Sequence, residues 1–292
     1  MKQKVALVLS SGGARGTAHI GAIQELLSRG YEITSIAGSS MGAIVAGVFA
    51  SGKLDEYEEW ICDLSKMDML NLVDFTLSTN GIIKADRVLN EIKKFIPDQN
   101  IEDLPVQYAC VATDILHKKE IVFTKGSLFE AIRASIAIPL VIKPAKNNDM
   151  WLVDGGVLNP VPANRVSRND GDILIAVNVN AQIPIHKPKK PEKNAGYIDQ
   201  LTKGKLALFQ EKLAQIYPSH PKKERLGYFN LMSDTISLML SQISRLSLEL
   251  NPPDVIINIS RQACGNFDFY KAEEVIEIGR NAAQKALNEY EK

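Results

Sequence analysis

Ile36-Ala37-Gly38-Ser39-Ser40-Met41-Gly42-Ala43-Ile44-Val45-Ala46-Gly47 decides how this chain is read: an apolar run ends in it, a helical pattern begins in it, and a serine stands at the corner. The spacing of Gly38, Ser40 and Gly42 has a steric logic. A serine on a sharp strand-to-helix turn needs small neighbours two residues to either side, so that the backbone can pass close by. Such a turn thrusts the hydroxyl out at the top of a sheet, over a helix N-terminus whose free N–H groups favour developing negative charge. The expectation is a nucleophile elbow with Ser40 as nucleophile, supported by Gly38, Met41 and Gly42. Alone, the five residues read equally well as a small-residue turn, so the rest of the chain must carry the argument.

Upstream, the apolar run 5–9 is of the kind buried in a parallel sheet, and it stops at Ser10-Ser11-Gly12-Gly13-Ala14-Arg15-Gly16. Ile20, Ile23, Leu26 and Leu27 then recur at helical spacing, with Gly30 as the residue closing the helix. A second strand over 33–37 and a small-residue helix over 41–50 complete a strand–helix–strand–helix start, which predicts parallel pairing and a doubly wound α/β architecture. Downstream, 54–95 is mainly helical with a polar break at 78–81. Further strands are expected over 108–113, 120–124, 151–153, 173–179 and 255–259, and helices over 128–134 and 271–290. The run 173–179 reads as a central, fully buried strand.

With 292 residues the chain fits one large domain spanning 1–292. Hydrophobic content of 45% and charged content of 23% are those of a soluble globular protein. Lysines plus arginines and acids both number 34, so no bulk field draws the chain to nucleic acid or to an anionic membrane, and any such attraction must be local. Cys62, Cys110 and Cys264 are odd in number and widely spaced, which argues against a disulfide framework or a zinc cluster and for a reducing, cytoplasmic setting. No run reaches the roughly 18 apolar residues of a spanning helix, so membrane contact is expected to be peripheral. The segment 181–227 reads as a variable insertion. Pro184, Pro188 and Pro191 alternate there with Lys187, Lys189, Lys190 and Lys193, and the weakly amphipathic 198–217 is a candidate lid or membrane-contact helix. Beyond it Met232, Ile236, Met239, Ile243, Leu246 and Leu250 form one apolar stripe, expected to face the core.

Three small-residue corners follow three apolar strands: Gly12 to Gly16, Gly38 to Gly42, and Asp154-Gly155-Gly156. In a parallel sheet the carboxyl ends of the strands share one edge, so the three corners are expected to converge there. Acyl transfer needs a nucleophile, a base and an oxyanion hole. Ser40 suits the first role, and backbone N–H groups of the loop Gly12, Gly13, Ala14, Arg15 and Gly16 suit the third, with Arg15 holding the loop in shape or neutralising charge. The same loop alone reads as a phosphate or nucleotide cradle, although it lacks the Lys-Ser/Thr ending of a P-loop. For the base, Asp154 stands in a corner where two glycines let another segment approach, whereas His19, His117, His186 and His220 do not stand in such corners. A Ser–Asp–His triad through His186 or His220, acting on small soluble esters, is the competing arrangement.

These blocks resemble the bacterial patatin-like phospholipases, a family of lipid acyl hydrolases. Gly12-Gly13-Ala14-Arg15-Gly16, continued by His19-Ile20-Gly21, is similar to the family's oxyanion loop, and Gly38-Ser39-Ser40-Met41-Gly42 to its nucleophile block. Arg133-Ala134-Ser135 through Pro139 resembles its Ala-Ser-x-x-x-Pro segment, and Asp154-Gly155-Gly156 its catalytic-aspartate block. The resemblance implies a three-layer α/β/α fold with a mostly parallel central sheet. It also implies a Ser40–Asp154 dyad working through an acyl-enzyme without metal or cofactor, and a phospholipid or lysophospholipid substrate. Ser11 stands where many members carry another glycine, and Ser39 where threonine is frequent.

Overall fold

The structure, a computed structural model, describes residues 2–72, 86–139, 141–185 and 228–292. Strands β1 (Lys4–Leu9), β2 (Glu32–Ser39), β3 (Gln107–Asp114), β4 (Lys119–Phe123), β5 (Ala145–Asn147), β6 (Met150–Asp154), β7 (Ile173–Ala181) and β8 (Val255–Ser260) form one mixed sheet. Its hydrogen-bonded order is β5-β6-β3-β2-β1-β7-β8, and β4 also pairs with β3. The five strands β1, β2, β3, β7 and β8 are parallel, whereas β4, β5 and β6 join by antiparallel pairing. β7 is buried along nearly its whole length, between β1 and β8.

Helices cover both faces, so the architecture is three-layer α/β/α. On one face α1 (Ala18–Ser28), α2 (Met41–Ala50), α3 (Leu54–Asp63), α6 (Leu128–Ser135) and the last helix, α8 (Ala272–Tyr290), close a single core over Leu7, Leu9, Ile36, Ile175 and Ile257. Two short helices, α4 (Lys66–Leu72) and α5 (Asp86–Ile92), lie in the stretch expected to be mainly helical. Its polar break at 78–81 lies outside the described residues. On the other face Ala6, Val8, Leu174 and Ala176 pack against Val161 and Ala163, with Leu248 of α7 (Tyr228–Leu250) above them.

Here the sequence expectation for the stripe on α7 fails. Met239, Leu246 and Leu250 are 57%, 48% and 78% exposed, Ile236 and Ile243 are half-buried, and the side chain of Met232 lies outside the described set. The side of α7 turned to the protein carries serines instead. Ser244 is buried, and the Ser247 hydroxyl donates to the Val161 carbonyl at 2.6 Å. Periodicity identifies an apolar face, but a small polar face allows a closer backbone approach and can take the inner side. The expected insertion over 181–227, with the candidate lid helix at 198–217, falls almost wholly outside the described residues. No helix among the described residues is long and apolar enough to cross a membrane.

The register around β3 positions the candidate site. Val111 pairs with Ser39 and Val122, while Ala112 pairs with Asp154 and Ile121. β4 therefore takes one side of β3 along this stretch, and β2 and β6 share the other side end to end. β2 runs in and stops at Ser39; β6 runs in from the opposite direction and stops at Asp154, one residue further along β3. The convergence expected from parallel strands accounts for two of the three corners. The third arrives on an antiparallel strand, and register rather than strand direction delivers it.

Candidate active site

At the end of β2 the chain reverses through Ser40, whose φ of 55° and ψ of −122° are held by no ordinary non-glycine residue without strain, at a cost of about 1–3 kcal/mol. Two contacts hold the turn. A Cβ on Gly38 would run into the backbone of Gly42 and Ala43, so the arms of the elbow touch directly. The backbone N–H of Ser40 donates to the Ser135 hydroxyl at 2.9 Å, with Ser135 itself fully buried at the end of α6. Ser40 is followed at once by α2 and its side chain caps none of that helix's N–H groups, so the first, unpaired N–H groups of α2 begin at the same corner.

The glycine loop lies beside it as a short 3-10 turn, Gly13–Thr17. Gly13 has φ +56°, a conformation that favours glycine, and a Cβ on it would come within 2.6 Å of the Asn266 carbonyl oxygen. A Cβ on Gly16 would lie 2.7 Å from Met41 Cβ, so the loop and the elbow are packed in direct contact. The Ala14 N–H is committed to the Asn266 carbonyl at 2.8 Å. Arg15 is placed as a brace: its guanidinium donates to Asn266 Oδ1 at 2.6 Å, to Asn180 Oδ1 at 3.1 Å and to the Cys264 carbonyl at 3.5 Å. Burial lowers the guanidinium pKa from its ordinary value, with the Arg261 charge adding to the effect, and three fixed acceptors solvate it there in place of water. Asn180 also donates to the Ser11 carbonyl at 2.5 Å, tying the loop to the end of β7.

Asp154 closes β6 and is 5% exposed, beside Ser40 at 4%. Its backbone N–H donates to the Ala137 carbonyl at 2.9 Å, and its Oδ1 accepts from Gly156 N–H at 2.8 Å. Oδ2 is buried and lacks a hydrogen bond of ordinary geometry, yet the Ser40 hydroxyl is near enough to favour the charged carboxylate. Burial pushes the Asp154 carboxyl up to about 6, against the Ser40 hydroxyl and the Gly156 N–H, which both pull it down. A carboxylate so tuned is poised to exchange a proton near neutral pH. Gly155 backs directly onto the Val111 carbonyl, and Gly156 lies against Ser11, so the aspartate corner touches both β3 and the glycine loop.

The structure thus brings the three sequence-derived corners together. Neither described histidine bonds to Ser40 or Asp154: His19 packs against Gly16 of the glycine loop, fully buried with Nε2 at 2.8 Å from the Ser10 carbonyl, and burial pushes its imidazole down to about 4. His117 pairs with Asp114, Nδ1 to Oδ2 at 2.5 Å. His186 and His220, the candidates for a triad, lie outside the described residues. The sequence reading missed Asn180 and Asn266 and assigned no role to Ser135. Two signals were available: polar Asn178 and Asn180 at the end of an otherwise apolar strand, and Cys264-Gly265-Asn266, a fourth small-residue corner after a strand.

A family model described as Patatin-like phospholipase matches residues 7–166. An uncharacterized NTE family protein of Mycobacterium tuberculosis is 36% identical, over 99% of this chain and 92% of its own length. Lysophospholipase NTE1 of Candida glabrata is 27% identical, over 95% of this chain and 16% of that protein. Among solved structures, VipD from Legionella pneumophila is similar with a TM-score of 0.49 and 13% identity, covering 99% of this chain and 67% of that chain.

Proposed function

The chain belongs to the patatin-like phospholipase family, and from that premise we propose that it is a serine esterase of phospholipase A type. It cleaves acyl esters of phospholipids or lysophospholipids through Ser40 and Asp154. The observation that carries this reading is the end-to-end meeting of β2 and β6 on β3, which sets the Ser40 hydroxyl beside the buried Asp154 carboxyl.

In the proposed reaction Asp154 takes the hydroxyl proton as Ser40 Oγ attacks the ester carbonyl. The backbone N–H groups of Gly12 and Gly13, with the first turn of α2, receive the oxyanion of the tetrahedral intermediate. Ala14 is left out of that role because its N–H is already spent on Asn266. Collapse expels the alcohol, which recovers the proton from Asp154, and leaves an acyl-serine. Asp154 then deprotonates a water that attacks the acyl group, releasing the fatty acid and restoring Ser40. The strain at Ser40 and the Ser135 hydrogen bond keep the nucleophile aimed, so little reorganisation is required during reaction.

Support for the lipid substrate comes from the family and from the lysophospholipase named among the relatives. The test is fatty-acid release from lysophosphatidylcholine by the wild-type chain and by Ser40→Ala. Release by the wild type and none by the variant is expected. Equal release by both, or none by a folded wild type on any acyl glycerophospholipid, contradicts the proposal.

A further inference from the structure

Past Ala112, where Asp154 is paired, β3 continues to Asp114 and turns through residues 115–118 into β4. At about 3.3 Å per residue this tip stands roughly 10 Å beyond the level of Ser40 and Asp154, on the same edge of the sheet. Its two leading residues are large and apolar. Ile115 is 50% exposed and Leu116 57% exposed. They are not loose: the fully buried Asp114 carboxylate accepts from the Leu116 N–H at 3.2 Å and from the His117 N–H at 3.4 Å, and it holds the His117 ring. The turn closes through Lys118 at φ 54°. The Ile115 N–H donates to the Trp151 carbonyl at 3.0 Å, joining this tip to the adjacent β5–β6 hairpin, whose Trp151 is also exposed beneath the Lys146 ammonium.

The charges around this rigid apolar tip are uneven in a chain that is neutral as a whole. Lys118, Lys119 and Lys146 are exposed on the two hairpins, and Lys143 is half-buried. Of the acids described on these two hairpins, Asp114 is turned inward, Glu120 is bound by Arg165, and Asp149 stands open, facing His117. An aliphatic pair ahead of a tryptophan and a ring of lysines matches a bilayer interface, with acyl chains outermost for the leucine and isoleucine and phosphates at the level of the ammonium groups.

We propose that the paired tips, with Ile115 and Leu116 leading and Lys118, Lys119 and Lys146 behind, dock the protein on an anionic lipid surface. The inference rests on the lipid acyl hydrolase reading for its purpose, since docking there presents the edge carrying Ser40 to the bilayer. The docking itself is a separate physical claim.

The experiment is cosedimentation of the full chain with vesicles of equal parts phosphatidylcholine and phosphatidylglycerol, and with phosphatidylcholine alone. It is run for the wild type, for Ile115→Asp with Leu116→Asp, and for Lys118→Glu with Lys119→Glu, with hydrolysis of a soluble short-chain ester and thermal melting measured alongside. The wild type binds the anionic vesicles better, and each double variant binds them about tenfold or more weakly while melting and soluble-ester turnover are unchanged. Wild-type binding by the variants, or no binding by the wild type, overturns the proposal. A variant that leaves vesicle binding intact but shifts the sedimentation mass from dimer to monomer overturns it in favour of contact between copies. Tip-dependent binding without any ester hydrolysis upholds the docking and removes the hydrolase reading.

Discussion

The Ser135 hydroxyl accepts the backbone N–H of Ser40 at 2.9 Å, and two residues later the Ala137 carbonyl accepts the backbone N–H of Asp154 at 2.9 Å. One short segment at the end of α6 therefore fixes both members of the candidate dyad by their main chains, leaving both side chains to face each other.

Ser135→Ala removes the first of these bonds and leaves a buried N–H on an already strained residue, a loss of about 1–3 kcal/mol. The account predicts a fall in kcat of about ten- to a hundredfold on a soluble ester with little change in KM, because the nucleophile is misaimed while the binding surface stays intact. A full kinetic comparison checks it, and an unchanged kcat would remove Ser135 from the site.

Asp154→Asn is predicted to trade activity for stability. The carboxyl is raised to about 6 in the folded protein, above its unfolded value of 3.8, so the folded state holds its proton more tightly. The stability this lends is complete below pH 4 and is lost as pH rises through 6. At pH 8 the ionised, buried carboxylate costs up to about 3 kcal/mol, from about 1.4 kcal/mol per unit. The asparagine variant should therefore unfold at higher denaturant than wild type at pH 8, and the difference should shrink towards pH 4. A variant less stable than wild type at pH 8 runs against the burial argument.

Gly16→Ala places a Cβ against Met41, between the glycine loop and the elbow. Overpacking at such a contact costs about 1–3 kcal/mol, and displacing the loop by about an ångström costs up to about a hundredfold in rate. The melting temperature and kcat should fall together. If the rate survives, the loop does not supply the oxyanion donors.

Much of this was legible in the chain because short-range chemistry wrote it there. Apolar runs bounded by Gly-Gly, Gly-Ser-Ser-Met-Gly and Asp-Gly-Gly mark strands that end in tight corners, and each corner appears where an apolar run stops. Long-range register was not legible. Nothing local to Asp154 says that β6 runs antiparallel and meets β2 head to head on β3, nor that Arg15 reaches Asn266 more than two hundred residues away. The exposed leucines of α7 fail for the same reason: a helical stripe reports its own period, while the surface that covers it belongs to another part of the chain.

The central claim, that Ser40 is a nucleophile activated by Asp154, is tested most directly by fluorophosphonate labelling followed by intact-mass and peptide analysis across pH. The account predicts a single adduct on Ser40, formed at a rate that climbs up to about tenfold per pH unit at low pH and levels off above the Asp154 value of about 6. It also predicts no adduct on Ser40→Ala and labelling slowed by orders of magnitude on Asp154→Asn. Labelling of Asp154→Asn at the wild-type rate, or an adduct that persists on Ser40→Ala, would contradict it.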